Sequence, residues 1–357
     1  MQKNDIDVNR AKKLSSTYNH RAMRKKPTPK PKRITMADLA RLAGVAKITV
    51  SRALAGSPSV RPQVRRKIQE LASEQGYRMN SSAQSLRRQR TDSIAAVIEM
   101  DPSAERPMFE PLVLMMVGSM LHQATLADYR LVLTNQSQVQ RHASLDVDGI
   151  VVLGQGANDV STQKLRRLGI PMVVWGVPTP ELDDGIAFLG SDNRAGGELI
   201  AEHLLSLGRS RVLFVGDTAH PEVRMRMEGL EAGLKDHGAR VMQVASEFNR
   251  GAAQAAMLRA LEFGVPFDAV VAASDEMALG VIGTLIDSGR RVPQDVCVVG
   301  FDDTLPDSRL TTIRQDFARA GREAVQLILK LIAGHAVPAL TLLPVELVVR
   351  GSTVNPI

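Results

Sequence analysis

From about residue 91 onward, short apolar runs alternate with stretches in which apolar residues recur at helical spacing. This alternation predicts parallel sheets with helices on both faces, because each parallel strand is reached through a crossover connection. A stretch of about 260 residues suits two such lobes, and ligands of folds of this kind bind beyond the carboxyl ends of the strands. We therefore predict a two-lobed α/β core.

The predicted strands and helices can be placed on the sequence. The strands are expected in the runs SIAAVIEM, RLVLTNQ, DGIVVLG, PMVVWG, RVLFVG, DAVVAAS and VCVVGFDD. The helices are expected at residues 193–207, 225–237, 252–263, 275–288 and 316–333. The single cysteine, Cys297, falls in an apolar run, so we expect a buried structural thiol.

Charge is distributed unevenly along the chain. Residues 1–90 hold 22 of the 45 Lys and Arg but five of the 38 Asp and Glu, a net charge of +17, while the rest carries −10. A basic first quarter joined to an acidic body predicts a polyanion-binding module attached to a part with another task. Residues 1–33, ending in RKKPTPKPKR, are expected to form a disordered basic arm, unless translation starts later, for example at Met23.

The sequence lacks the marks of several other classes of protein. No apolar run approaches the roughly 18 residues of a membrane span, and no signal segment opens the chain, which predicts a cytoplasmic protein. We find no catalytic constellation and no His pair at metal-binding spacing. The G-x-G in VVLGQGAND lacks the rest of a dinucleotide fingerprint. We therefore expect no enzymatic activity, no metal and no cofactor.

Three short helices are predicted after the basic arm. Thr35 and Asp38 can form a capping box at the start of the first helix. Gly44 permits a sharp turn before the second helix, at residues 47–54. A third helix follows from Pro62. Three helices with a glycine turn between the first two describe a helix-turn-helix module.

Several segments together resemble one protein family. ITMADLARLAGVAKITVSRALAG and the following GYRMNSSAQSL resemble the DNA-binding end of the LacI/GalR family of bacterial repressors. The segments HLLSLGRSRVLFVGD, VRMRMEGL, ASDEMALG, VCVVGFDDT and LTTIRQDF resemble that family's effector-binding core. The resemblance implies an all-α helix-turn-helix headpiece and a periplasmic-binding-protein-like core of two parallel Rossmann-like sheets. It also implies a dimeric regulator of transcription that binds double-stranded operator DNA and a small-molecule effector.

The resemblance also implies a division of the chain. The headpiece is expected at residues 34–79, a hinge helix at 80–90 and the core at 91–357. Lobe one is expected at about 91–189 and 316–343, and lobe two at about 190–315 and 344–357. The final stretch VELVVRGSTVNPI contains no leucine heptads, which predicts a homodimer rather than a tetramer, with part of its interface on a helix at 110–127.

The second headpiece helix has one face that the core does not need. Val50, Ala53 and Leu54 are expected to anchor this helix, so the opposite face points outward. An exposed Ile suits the major groove, because a thymine methyl group is an apolar contact there, and Lys or Arg can donate to guanine or to phosphate. The resemblance implies DNA contacts by Thr35, Lys47, Ile48, Thr49, Ser51 and Arg52.

Two residues depart from the family's pattern. Ala46 stands where the family usually has Ser or Thr as an N-cap, and loss of a cap costs about 1 kcal/mol. Met79 stands where Pro is common, which leaves the entry to the hinge less rigid. The resemblance implies that Asn80 caps the hinge helix, Ala83 packs and Leu86 wedges into the minor groove. A plain basic linker is the alternative.

The resemblance places a ligand site between the lobes. It implies effector contacts by Arg226, Asp302, Phe248, Ser274, Asp192 and Phe109. Arg224 is the alternative to Arg226. Asp192 can instead cap the next helix, and Phe109 can equally belong to the core. Asp275 is expected to be a helix N-cap.

The effector is expected to be a sugar. An Arg and an Asp together match the bidentate hydrogen bonds that neighbouring sugar hydroxyls form, which predicts a repressor of carbohydrate-utilisation genes. A purine or nucleoside is the first alternative, because Phe248 would stack on either ligand. A solute-binding protein is the second alternative, but such a protein should have a signal peptide and no headpiece.

Overall fold

The computed structural model describes residues 34–77, 90–99, 110–142, 145–156, 160–180, 186–304 and 309–354. The chain divides into two compact units, Met1–Gln84 and Ser85–Ile357. The expected arm at 1–33, the hinge residues Asn80, Ala83 and Leu86, and also Phe109 lie outside the described residues. Within the described ranges, no helix is both long and apolar enough to cross a membrane.

The first unit contains the three predicted helices, α1 (Met36–Ala43), α2 (Lys47–Leu54) and α3 (Pro62–Glu74). Thr35 caps α1 through the predicted capping box, in which the backbone N–H of Thr35 donates to Asp38 Oδ2 at 3.0 Å. Gly44 adopts a φ of 65°, a left-handed conformation that glycine reaches without strain, and turns the chain into α2. The helices enclose a small core of Leu39, Ala40, Val50, Ala53, Val60, Ile68 and Ala72.

Lobe one of the second unit is built on a six-stranded sheet. Its strands are β1 (Ser93–Ile98), β2 (Arg130–Asn135), β3 (Gly149–Leu153), β4 (Met172–Trp175), β5 (Ala187–Ser191) and β11 (Leu340–Leu343). They pair in parallel in the order β11-β5-β4-β3-β1-β2. Its helices are α4 (Pro111–Leu126), α5 (Gln136–His142), α6 (Val160–Arg166) and α11 (Phe317–Ile332). Separate apolar cores cover the two faces of the sheet, as its continuous apolar runs predict.

Lobe two contains a second six-stranded sheet. Its strands are β6 (Arg211–Val215), β7 (Arg240–Val244), β8 (Ala269–Ala272), β9 (Cys297–Asp302), β10 (Thr311–Arg314) and β12 (Glu346–Val348). The order is β12-β10-β9-β8-β6-β7, and all pairs are parallel except β10 with β12. Its helices are α7 (Asn193–Ser206), α8 (Pro221–Leu234), α9 (Arg250–Glu262) and α10 (Asp275–Asp287), with a 3-10 turn at Lys235–His237.

Short crossings connect the lobes within the described residues. The first crossing joins β5 to α7 between Ser191 and Asn193, and the second joins β10 to α11 through Gln315. The third joins β11 to β12. Each crossing follows the carboxyl end of a strand, so the residues on the crossings lie where a ligand between the lobes would be bound.

The structure corrects two sequence-based expectations and confirms a third. Helix α8 begins at Pro221 rather than Met225, because proline suits a first helical turn, where backbone N–H groups have no partner in the helix. Ser274, not Asp275, is the N-cap of α10, since its Oγ accepts from the backbone N–H of Met277 at 3.4 Å. Cys297 is buried, as predicted.

Candidate functional site

The outward face of α2 presents polar and apolar side chains together. Lys47 and Arg52 are exposed, and 48% of the Ile48 surface is accessible, whereas Val50 and Ala53 on the opposite face are fully buried. We call the outward face of α2 the reading edge, formed by Lys47, Ile48, Ser51 and Arg52, of which Ser51 is half-buried. Of the other predicted DNA contacts, Thr35 is exposed and Thr49 is half-buried. Contact of these residues with DNA stays a prediction.

The amino end of α2 has no side-chain cap. Ala46 has the extended backbone of an N-cap but no side-chain oxygen. We expect Ala46→Ser to stabilise α2 by about 1 kcal/mol, because a serine hydroxyl accepts from a first-turn N–H group. Hydrogen exchange of the α2 amides in the full chain should slow about fivefold. Ala46→Val adds bulk without an acceptor, so equal protection in both variants would argue against a missing cap.

The second candidate site is a cavity between the lobes of the core. Its walls come from the carboxyl ends of strands in both sheets, including Trp175 of β4, Ser191 of β5 and Asp302 of β9. Three of the predicted effector contacts, Arg226, Phe248 and Asp302, line this cavity. The structure therefore brings residues that are far apart in the sequence to one site.

Two predicted effector contacts do not line the cavity. Asp192 and Ser274 are both helix N-caps, and Asp192 Oδ1 accepts from the backbone N–H of Ala195 at 3.0 Å. Arg224, the alternative to Arg226, is half-exposed, and its Nε lies 3.9 Å from Glu228 Oε1.

Arg226 is buried and held on several sides. Its Nε donates to Asn193 Oδ1 at 2.8 Å, and its Nη1 donates to the carbonyl oxygen of Ala273. The guanidinium carbon lies over the ring of Phe301, 3.8 Å from the ring centroid. Stacking and directed hydrogen bonds together need the planar guanidinium of arginine. Arg226 thus places a cation of fixed orientation at the cavity wall.

The turn after β9 carries backbone strain. Asp302 has a φ of 128° and Asp303 a φ of 54°, conformations that are costly for residues with a Cβ. Gln315 Nε2 donates to Asp302 Oδ1 at 2.6 Å, and ion pairs join Asp303 to Arg314 at 2.6 Å and to Arg350 at 2.7 Å. These contacts hold the Asp302 carboxylate at the cavity.

Asp275 ties the same turn to helix α10. Its Oδ2 accepts from the backbone N–H of Thr304 at 3.0 Å, and its Oδ1 accepts from Thr312 Oγ1 at 2.6 Å. Burial, followed by the negative charge of Asp302, raises the pKa of Asp275 from 3.8 to about 7.

The raised pKa of Asp275 makes the stability of the core depend on pH. The folded core holds this proton more tightly than the unfolded chain does, so the stabilisation is complete below pH 3.8 and is lost as the pH rises through about 7. We expect the free energy of unfolding to fall between about pH 4 and pH 7, and Asp275→Asn to make this pH dependence flatter. Urea unfolding at several pH values measures the free energy of unfolding. Asp287→Asn changes an exposed residue on the same helix and should show the same pH dependence as the wild type. An equally steep pH dependence in Asp275→Asn would contradict the assignment of the effect to Asp275.

Several polar residues of the cavity escape prediction from the sequence. They are Glu99, Ser191, Asn193, Glu222 and Gln315. Each ends a strand, follows a strand or lies in the first turn of a helix, and that position is the signal that would have found them. No group of three or more His, Cys, Asp or Glu residues in the described ranges is arranged to hold a metal ion.

Aromatic side chains form further parts of the cavity wall. Trp175 meets Phe317 edge to face with ring centroids 6.1 Å apart, and Phe248 meets His220 edge to face at 5.2 Å. Trp175, Phe248 and Phe317 line the cavity. Since Trp175 is the single tryptophan of the chain, its fluorescence reports on this site.

Two family profiles match this chain. Bacterial regulatory proteins of the lacI family match at residues 35–80, and the periplasmic binding protein-like domain matches at residues 201–353. The regulator CelR of Thermobifida fusca is 31% identical over 336 residues, which cover 90% of this chain and 98% of CelR. The regulator MalR of Streptomyces coelicolor is 32% identical over 355 residues, which cover 90% of this chain and 96% of MalR.

Solved structures are similar over the same length. The lac repressor dimer bound to operator and the anti-inducer ONPF has a TM-score of 0.79 at 26% identity, covering 90% of this chain and 99% of that chain. A complex of the regulator CelR with cellobiose has a TM-score of 0.67 at 29% identity, and the match covers 90% of this chain and 100% of that chain. The similarity therefore includes both the helix-turn-helix unit and the two-lobed core.

Proposed function

Because the chain belongs to the LacI family of bacterial regulatory proteins, we propose that it is a cytoplasmic repressor of carbohydrate-utilisation genes whose affinity for operator DNA is controlled by a sugar. One observation carries this proposal: a single chain combines an accessible helix-turn-helix edge with a two-lobed core around a polar cavity. Its relatives are transcriptional regulators, and we propose no enzymatic activity. When bound to DNA, the protein belongs to the nucleoid.

A sugar is the effector that best fits the cavity. Arg226, Asp302 and Gln315 offer donors and acceptors in fixed positions, which suits neighbouring hydroxyl groups. Trp175 and Phe248 offer apolar ring surface beside them, as binding sites for small molecules commonly do. The structure of the relative CelR was solved with cellobiose, which supports a sugar for this chain as well.

We propose that the protein is a homodimer joined through α4 and β2. Both elements leave large apolar side chains exposed, by 51% at Leu121, 68% at Leu126 and 53% at Leu133. Strand β2 is also at the edge of its sheet. The similar lac repressor was solved as a dimer on its operator, and two headpieces in a dimer would bind the two halves of a near-palindromic site.

The reading edge is tested at Arg52. We expect Arg52→Ala to weaken operator binding by about 1–3 kcal/mol, because an Arg in the major groove donates two hydrogen bonds to one guanine. Operator fragments are first selected from genomic DNA with the wild-type protein, and affinities are then measured by fluorescence anisotropy at one salt concentration.

A matched variant separates base contacts from general charge. Lys67→Ala removes one positive charge from the exposed face of α3, outside the reading edge. It should weaken binding far less than Arg52→Ala does. Equal losses in the two variants, or no loss at Arg52, would contradict the placement of α2 in the groove.

A further inference from the structure

The charges around the cavity are unequal. Among the described residues that line it, three are carboxylates, namely Glu99, Glu222 and Asp302, and one is a cation, Arg226. That cation is already engaged by Asn193 and by the carbonyl oxygen of Ala273. Arg226 therefore balances one negative charge, and the lining as a whole remains acidic.

The cavity lining includes buried polar atoms that have no hydrogen-bond partner among the described residues. Glu222 Oε2 and Ser191 Oγ are such atoms. Ser191 is itself 1% exposed and ends strand β5 of lobe one, whereas Glu222 lies in the first turn of α8 in lobe two. Buried polar atoms of this kind are costly unless a bound molecule satisfies them. Their position in opposite lobes suits one ligand that bridges both.

The chemistry of these two atoms restricts the ligand. A carboxylate oxygen accepts hydrogen bonds only, so the group that meets Glu222 must be a donor, whereas a serine hydroxyl can donate or accept. The amino end of α8 stabilises a negative charge at Glu222. A ligand carboxylate or phosphate would meet like charge in a site of low dielectric, where repulsion is strong.

We propose that the cavity selects an uncharged sugar, with one hydroxyl donating to Glu222 and another bound to Ser191, and that it rejects sugar acids and sugar phosphates. This inference rests on the proposed sugar-controlled function and specifies its ligand class. The acidic net charge of the cavity lining causes this selectivity against charged sugars. We assign the effect to the carboxylate of Glu222.

The test measures binding to the full chain by calorimetry and by Trp175 fluorescence. The probes are uncharged mono- and disaccharides, including glucose, galactose, cellobiose and maltose, with glucuronate, galacturonate, gluconate and glucose 6-phosphate as charged counterparts. We expect at least one uncharged sugar to bind about tenfold or more tightly than its charged counterparts. A sugar acid or sugar phosphate that binds as tightly as its uncharged counterpart overturns the proposal.

Variants assign the selectivity to the cavity. Glu222→Gln should reduce the ratio of affinities for uncharged and charged sugars about tenfold. Glu228→Gln makes the same charge change on the exposed face of α8 and should leave this affinity ratio unchanged. Ser191→Ala removes an unpartnered hydroxyl, so it should weaken sugar binding without loss of thermal stability. An unchanged affinity ratio in Glu222→Gln, or wild-type affinity for the uncharged sugar in Ser191→Ala, would contradict the proposal. If no sugar of any charge binds while operator DNA does, the sugar-controlled function itself fails and this inference fails with it.

Discussion

Arg226→Ala is expected to weaken effector binding about 100-fold or more and so to remove effector control of operator binding. The side chain is buried, stacked on Phe301 and bonded to Asn193, so its loss removes a fixed cation and leaves buried acceptors unpaired. Arg226→Lys should also lose effector binding, because an ammonium group keeps the positive charge but not the planar arrangement of donors of a guanidinium. Operator affinity without effector should change little, since the headpiece is a separate unit.

The matched control for this prediction lies two residues earlier in the chain. Arg224→Ala removes the same side chain from an exposed position on α8 and should leave the effector response intact. Trp175 fluorescence measures effector binding in each variant, and anisotropy measures operator binding. A normal effector response in Arg226→Ala would show that the cavity between the lobes is not the effector site.

Gly229→Ala is expected to lower the free energy of unfolding of the core by about 3 kcal/mol. A Cβ at this position would overlap the backbone carbonyl oxygen of Arg194 on α7, and a backbone atom has no other rotamer to adopt. On the facing helix, a Cβ at Gly197 would overlap the backbone carbonyl oxygen of Arg226. Helices α7 and α8 therefore touch backbone to backbone, and any separation would also move Arg226.

Denaturant unfolding of the full chain measures the effect. Gly283→Ala on α10 is the control, because the nearest described atom to a Cβ there, outside its own helix backbone, is Gln254 Nε2 at 3.9 Å. Alanine is the better helix former, so this variant should be as stable as the wild type or more stable by up to about 1 kcal/mol. Equal stability of Gly229→Ala and the wild type would mean that α7 and α8 are not in such close contact.

The headpiece was predictable because its helices depend on local signals. The capping box at Thr35, the turn at Gly44 and the proline at Pro62 each act within a few residues. The missing cap at Ala46 was visible in the same way. In the core, the apolar runs predicted β1, β3, β4, β6, β8 and β9, because such strands are buried on both faces. Strands β5 and β10 are also interior to their sheets but were not predicted. Short strands that mix polar and apolar residues, such as β7 at the edge of its sheet, contain no continuous apolar run and were not predicted.

The polar lining of the cavity was harder to predict because it depends on the way the chain returns between the lobes. Asn193 and Gln315 line the cavity because both lie on lobe crossings. A position after a strand or at the start of a helix is visible locally, but the local sequence does not show that the chain crosses to the other lobe there. The N-cap of α10 was assigned to Asp275 instead of Ser274 for a similar reason. Either residue type can cap a helix, but the Asp275 carboxylate instead accepts hydrogen bonds from Thr304 and Thr312, which are distant in the sequence.

The most direct test of the account is the operator affinity of the wild-type protein with and without a sugar that calorimetry shows to be bound. Operator fragments selected from genomic DNA are titrated with the full chain, in parallel with Arg226→Ala. The account predicts that the bound sugar changes the dissociation constant for the operator about tenfold or more in the wild type and leaves that of Arg226→Ala unchanged. An operator affinity that is the same with and without the bound sugar in the wild type would contradict it.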